Sequence, residues 1–228
     1  VLCCLPSDHH VRGDFATTAR TAARVAATTE GLVTVGIEPT RPATGSGYIE
    51  PGDRTDGYAP VTQFVEKPDE ATAEEYVEAG HYWNAGIFAW TPTALLDAAR
   101  ETPLASLVDA LDAGNPGGGF AAVDSVSIDY AVLERADDVF VVPASFEWDD
   151  LGSWDSVGRV LDSDSGGNVT LGEGMAIDAS GCVLASDGHV SVVGVDDLVV
   201  ASFDGDTLVI PREQAQRVRE VVARREAE

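Results

Sequence analysis

Hydrophobic and polar positions alternate in two different textures along the chain. Up to about residue 160, short continuous apolar runs are separated by stretches that repeat apolar residues at helical spacing. The first run, Val1-Leu2-Cys3-Cys4-Leu5, has no polar alternation and reads as a parallel strand buried on both faces. The polar loop Pro6-Ser7-Asp8-His9-His10 follows. Asp14 stands where a helix N-cap belongs, and the stretch Phe15 to Thr29 puts Phe15, Ala19, Ala22, Ala23 and Ala26 on one face, with Gly31 as its stop. Leu32 to Ile37 is the next apolar run, so the start of the chain predicts strand, loop, helix, strand: a βαβ unit of a parallel sheet. A domain rarely starts with a central strand, which raises the expectation of a further N-terminal part ahead of Val1.

Glu38 to Pro60 is rich in Gly, Pro and Thr. Val61 to Val65 predicts a strand running into Glu66-Lys67-Pro68, and Asp69 predicts the cap of a helix ending near Gly80. Ile87 to Trp90 predicts a strand, and Thr91-Pro92 the cap and first turn of another helix. Gly114 to Gly119 predicts a loop, followed by a short helix to about Arg135 and a strand over Val139 to Val142. Beyond about Leu161 the texture changes. Short β-like runs at Met175–Ile177, Cys182–Ala185, Val190–Val193, Leu198–Ser202 and Thr207–Ile210 are separated by Gly, Asp and Asn, which suggests a small β module such as a short β-solenoid. A charged helix over Arg212 to about Arg225 closes it. The expected division is therefore 1–161 and 162–228.

Composition changes the picture in two ways. The chain of 228 residues carries 39 acidic against 14 basic side chains, a formal charge of −25. Such a surface repels nucleic-acid phosphates and anionic lipid head groups, which argues against nucleic-acid and membrane partners. No apolar run has the length of a membrane span, and no basic-then-apolar leader opens the chain, so the expected location is cytoplasmic. At 44% hydrophobic residues the chain is a folding one rather than a disordered acidic one. Thirteen of the basic residues are Arg, and Lys67 is the lone lysine. Acidic excess with almost no lysine predicts a protein adapted to high salt, where a Debye length of about 3 Å tames self-repulsion. The odd set Cys3, Cys4 and Cys182 predicts buried free thiols rather than a disulfide framework.

Candidate chemistry collects at a few places. Asp8 lies past the carboxyl end of a predicted strand, where open α/β sheets bind ligands, and its carboxylate suits a hard cation such as Mg²⁺. His9 and His10 lack further His or Cys neighbours in sequence that would make a zinc site. In Gly45-Ser46-Gly47-Tyr48 the missing Cβ atoms allow close backbone approach to a ligand. Glu66-Lys67-Pro68 puts an acceptor for sugar hydroxyls beside a point cation for a phosphate. A chain that otherwise avoids lysine has a reason to place an ammonium there. Asn84 can read hydroxyls as donor and acceptor, and one of Asp149 and Asp150 can serve as a second metal carboxylate.

Taken in order, several segments resemble the mannose-1-phosphate guanylyltransferases among the sugar nucleotidyltransferases. They are Leu5-Pro6-Ser7-Asp8-His9, Thr34-Val35-Gly36-Ile37-Glu38-Pro39-Thr40, Thr44-Gly45-Ser46-Gly47-Tyr48-Ile49-Glu50, Phe64-Val65-Glu66-Lys67-Pro68, Trp83-Asn84-Ala85-Gly86-Ile87-Phe88, Ser127-Ile128-Asp129-Tyr130 and Trp148-Asp149-Asp150-Leu151-Gly152-Ser153-Trp154. Gly194 to Val200 resembles the C-terminal module of that family. The resemblance implies a Rossmann-like α/β domain with a mixed, mostly parallel sheet, a small C-terminal β module and a terminal helix. It implies an Mg²⁺-dependent enzyme that makes GDP-mannose and pyrophosphate from GTP and mannose 1-phosphate. Asp8 and Asp150 would hold the metal, Gly47, Glu66 and Asn84 the mannose, and Lys67 its phosphate. Ser46 stands where Tyr is common and Ala85 where Ser is common. The triphosphate-binding Gly-rich loop that opens the family has no counterpart here, which again implies a missing N-terminal part. A glucose-1-phosphate thymidylyl- or uridylyltransferase and a non-catalytic sugar-phosphate-binding module are the alternatives, and a homodimer through the β module is a further expectation.

Overall fold

The computed structural model describes residues 1–226, leaving aside the side chains of Asp155 and Glu226; the last two positions of the expected 162–228 module lie outside the described residues. The chain divides into two compact units. The first comprises 1–7 and 11–148, and the second comprises 8–10 and 149–228.

In the first unit the elements run β1 (Leu2–Cys4), β2 (His10–Gly13), α1 (Phe15–Thr29), β3 (Leu32–Ile37), β4 (Gly47–Pro51), β5 (Ala59–Glu66), α2 (Glu70–Glu78), β6 (Tyr82–Trp90), α3 (Pro92–Arg100), α4 (Ala105–Asp112), α5 (Pro116–Ala121), a π-helical turn (Asp129–Leu133), β7 (Val139–Pro143) and β8 (Phe146–Asp149). Local signals placed the starts of α1, α2 and α3. Asp14, Asp69 and Thr91 each cap a helix by accepting from a backbone N–H three residues on. The stop of α1 falls one residue early, because Glu30 itself takes the left-handed conformation, with φ 56°.

Six strands form one sheet in the order β1-β6-β3-β7-β5-β4, with β4 also pairing β6. The sheet is covered on both faces. On one side Val33, Val35, Ile37, Tyr48, Trp83, Ala85, Ile87 and Ala89 pack against Ala22, Val25 and Ala26 of α1 and Ala73 of α2. On the other, Leu32, Phe88, Trp90 and Val139 pack against Ala99 of α3, Val108 of α4 and Ala131, Val132 and Leu133 of the π-helical turn. Burial on both faces is why β3 reads as a continuous apolar run.

Three expectations are corrected here. The sheet is mixed but not mostly parallel: β3–β7 is its parallel pair, while β1–β6, β3–β6, β4–β5, β4–β6 and β5–β7 are antiparallel. The two strands of the expected βαβ unit do share a direction, but β6 lies between them. Second, β1 is an exposed edge strand rather than a buried one. Among the described residues it pairs with β6 on one side, and Leu2, Cys3 and Cys4 are all exposed, so of the three thiols only that of Cys182 is buried. Third, the glycine-rich stretch 114–119 is largely helical. Asn115 accepts from the Gly118 N–H as the cap and Pro116 supplies the first turn, which together outweigh the glycines in α5.

The second unit holds α6 (Trp154–Val160), β9 (Val169–Ile177), β10 (Val183–Val193), β11 (Leu198–Phe203), β12 (Asp206–Pro211), a 3-10 turn (Arg212–Arg217) and α7 (Val218–Glu226). Strands β9, β10 and β11 run parallel, with Val169 beside Val183 and Val183 beside Val199, and β12 returns antiparallel. The expected runs Cys182–Ala185 and Val190–Val193 merge into the single strand β10, which starts at Val183 and whose register shifts between Ala185 and His189. The unit begins before residue 162 because α6 is part of it: Trp154 and Val157 pack on Val183, Val199 and Ala215. Among the described residues no helix is long and apolar enough to cross a membrane.

Candidate functional site

In the first unit, sheet register brings four of the expected residues together. Gly47 opens β4 directly opposite Glu66, the last residue of β5. Asn84 on β6 pairs with Gly36 of β3 and comes within 3.5 Å of where a Cβ on Gly47 would stand. Lys67 follows Glu66 immediately.

The Glu66 side chain is 11% exposed. Its Oε1 accepts from the Lys67 ammonium, while its Oε2 is buried without a hydrogen-bond partner and occupies the space a Cβ on Gly47 would need. A buried carboxylate oxygen without a donor is costly, so this carboxylate is not satisfied by the protein around it. Lys67 has φ 51°, a left-handed conformation that a lysine adopts at a cost. Its Nζ lies 5.8 Å from the centre of the Tyr130 ring. The hydrogen bond to Glu66, with the negative charges of Glu66 and Asp129, raises the Lys67 pKa against partial burial, so it is an ammonium throughout the neutral range.

Asn84 interrupts the apolar run of β6. Its Oδ1 accepts from Thr34 Oγ1 at 2.8 Å and from the Gly86 N–H at 3.2 Å, and its Nδ2 donates to Asp129 Oδ1 at 2.8 Å. Of its four hydrogen-bonding positions one N–H remains. Asp129, Tyr130 and Glu134 were not singled out as site residues from sequence, although Ser127-Ile128-Asp129-Tyr130 was noted as a motif. Glu134 stands near enough to Glu66 and Asp129 that partial burial and then those charges push its carboxyl above the ordinary range.

In the second unit, Asp8 is exposed and Asp150 half-buried. Both carboxylates, with that of Asp149, act on His9, whose pKa is lowered by burial and partly restored by these charges. Asp149 and Asp150 differ in their commitments. Asp149 is held bidentately by Arg159, from Nε at 2.9 Å and Nη2 at 3.1 Å, and although burial pulls the other way, this partner keeps its carboxyl below the usual range. Asp150 Oδ1 accepts two long bonds, from the Gly152 N–H at 3.2 Å and Ser156 Oγ at 3.3 Å. Asp150 is therefore the carboxylate open to a cation. Among the described residues no three His, Cys, Asp or Glu side chains cluster as a preformed metal site. Two carboxylates do fit Mg²⁺, which usually takes one or two from protein and completes its shell with water and substrate phosphates.

Comparisons with known proteins bear on the family of the chain. Residues 1–165 match the family model described as nucleotidyl transferase, and residues 172–224 match the model for a MannoseP isomerase/GMP-like beta-helix domain. The chain is 38% identical to the xanthan biosynthesis protein XanB of Xanthomonas campestris over 98% of this chain and 50% of that protein. It is 36% identical to a mannose-1-phosphate guanylyltransferase of Salmonella montevideo over 97% of this chain and 51% of that one. The chain thus spans about half the length of the curated relatives it matches. A crystal structure described as mannose-1-phosphate geranyltransferase from Thermus thermophilus superposes with a TM-score of 0.90 at 40% identity, covering 99% of this chain and 69% of the other.

Proposed function

The chain belongs to the nucleotidyl transferase family, and we propose that its protein transfers a guanylyl group from GTP to mannose 1-phosphate, giving GDP-mannose and pyrophosphate. The observation that carries this reading is the Glu66–Lys67 pair set against Gly47: a carboxylate with an unpartnered buried oxygen next to the chain's lone lysine. That combination suits a ligand with hydroxyls at one end and a phosphate at the other. The Salmonella relative named mannose-1-phosphate guanylyltransferase supports mannose and guanine over other sugars and bases.

In this reading the Glu66–Lys67 pair exchanges partners on binding. The ammonium turns to the substrate phosphate, and the Glu66 carboxylate accepts sugar hydroxyls in its place. The remaining Asn84 N–H donates to another sugar oxygen. The phosphate oxygen of mannose 1-phosphate then forms a bond to the α-phosphorus of GTP as the bond from that phosphorus to the β-phosphate oxygen breaks and pyrophosphate leaves. The protein's part is positioning and charge neutralisation, with no covalent nucleophile. Asp8 and Asp150 would hold Mg²⁺, which when bound neutralises charge on the phosphates.

The test is pyrophosphate release by the full gene product across a panel of GTP, UTP and dTTP with mannose 1-phosphate and glucose 1-phosphate. Preference for GTP with mannose 1-phosphate, abolished by Lys67→Ala, is the expected result. Preference for glucose 1-phosphate with UTP or dTTP would overturn the substrate assignment. Calorimetric binding of mannose 1-phosphate with no turnover of any pair would overturn the catalytic one.

A further inference from the structure

We propose that Asp129 is a positioning residue for the sugar: its carboxylate locks the Asn84 amide in the orientation that turns an N–H, and not the carbonyl oxygen, toward the ligand. This rests on the sugar-phosphate reading of the site given above.

A primary amide can rotate by half a turn and exchange its oxygen and nitrogen, so its identity at a site is fixed by its partners. At Asn84 the Thr34 hydroxyl can donate or accept and does not choose. The Gly86 N–H favours the oxygen on its side, but at 3.2 Å it is the longest of the three bonds. An ionised carboxylate only accepts, so Asp129 at 2.8 Å from Nδ2 decides the matter. Both lone pairs of Oδ1 are then used, and one N–H is left to face a hydroxyl oxygen.

The backbone that delivers Asp129 is unusual. The π-helical turn Asp129–Leu133 anchors Ala131, Val132 and Leu133 in the core against Leu32, Phe88 and Trp90, so its first residue has little freedom to move. Single wide turns of this kind recur at functional sites. The next residue, Tyr130, faces the Lys67 ammonium across 5.8 Å, so one turn braces both the amide and the cation.

The experiment compares Asp129→Ala and Asp129→Asn in the full gene product. Asparagine retains an accepting carbonyl and alanine does not. Expected for Asp129→Ala is about a ten-fold weaker Kd for mannose 1-phosphate, the worth of one charge-assisted hydrogen bond, with the Kd for GTP unchanged. Asp129→Asn should restore most of the mannose 1-phosphate affinity. Independently of any ligand, the Asn84 side-chain amide protons, assigned by their loss in Asn84→Asp, should shift in the nitrogen-15 spectrum of Asp129→Ala. An unshifted amide overturns the positioning itself. Equal losses in both variants, or a matching loss for GTP, overturn the specific role and leave a structural one. A shifted amide in a protein that binds GTP but no mannose 1-phosphate overturns the sugar reading of the site, and with it this use of Asp129.

Discussion

Glu66 Oε2 fills the volume in which a side chain at Gly47 would begin. The two residues are cross-strand partners, and the absence of a Cβ on one lets Oε2 of the other occupy that space, buried and without a donor, while Oε1 accepts from Lys67. Gly47→Ala should therefore displace the carboxylate, not the backbone. Position 47 has no left-handed φ to relieve, and the obstructing atom is the far end of a side chain. The expected outcome is a near-native Tm with mannose 1-phosphate affinity lower by about ten-fold, read by calorimetry.

Lys67 separates charge from backbone strain. In the left-handed region a side chain costs about 1 kcal/mol that glycine does not incur. Both Lys67→Gly and Lys67→Ala leave the Glu66 carboxylate without its ammonium and should abolish transfer, but the Gly variant should be the more stable of the two by about 1 kcal/mol in urea unfolding. Lys67→Arg keeps the charge but exchanges a compact ammonium for a planar fork, and should recover only part of the activity. Equal stability of the Gly and Ala variants would show that the strain is absent.

How much of this was legible in the sequence follows from how local each signal is. The caps at Asp14, Asp69 and Thr91 and the strand Leu32–Ile37 were readable because a cap or a buried run is written in a few adjacent residues. Strand partners were not, since β6 enters between β1 and β3 from far along the chain. Lys67 stood out by composition. Asp129 did not, because its meaning lies in a bond to Asn84, 45 residues away. The residues alone leave Asp149 and Asp150 equivalent, the family resemblance favours Asp150, and the contact of Arg159 with Asp149 separates them physically.

His81 predicts acid sensitivity. Its ring is buried, stacks on Tyr76 at 4.5 Å and has an Nδ1 without a partner. Burial lowers its pKa from 6.5, against a smaller opposing pull from Glu50. A folded-state value below the unfolded one means that the unfolded chain binds the proton more readily. Stability is then fully present above 6.5 and is lost as pH falls below it toward the lowered folded value. His81→Phe keeps the stack and removes the titration. The Tm difference between wild type and His81→Phe should grow in favour of the variant as pH drops through that window; parallel curves would refute it.

Net charge makes its own prediction. With 39 acidic and 14 basic residues, self-repulsion should be relieved by screening, so Tm should climb with KCl from low to molar concentration. A flat or falling Tm across that range would argue against adaptation to high salt.

Asp149 and Asp150 offer the sharpest division between holding the fold and holding a cation. Asp149 and Arg159 are 14% and 27% exposed, so removing the carboxylate takes two charge-assisted hydrogen bonds from a guanidinium that is mostly out of water and keeps its bond to Ser156 Oγ. Asp149→Ala should cost about 1–3 kcal/mol in urea unfolding. Asp150 gives up two long hydrogen bonds when replaced, and Asp150→Asn retains an oxygen for Gly152 and Ser156, so its fold should be nearly unaffected. Its Mg²⁺ dependence should change instead. Activity titrated with Mg²⁺ should need at least about ten-fold more metal, and direct binding of Mn²⁺ followed by water relaxation should weaken in step, since the variant loses one of the two carboxylates proposed to hold the metal. If Asp149→Ala weakened Mn²⁺ binding and Asp150→Asn did not, the roles of the two neighbours would be reversed, with Arg159 then serving to orient a metal ligand.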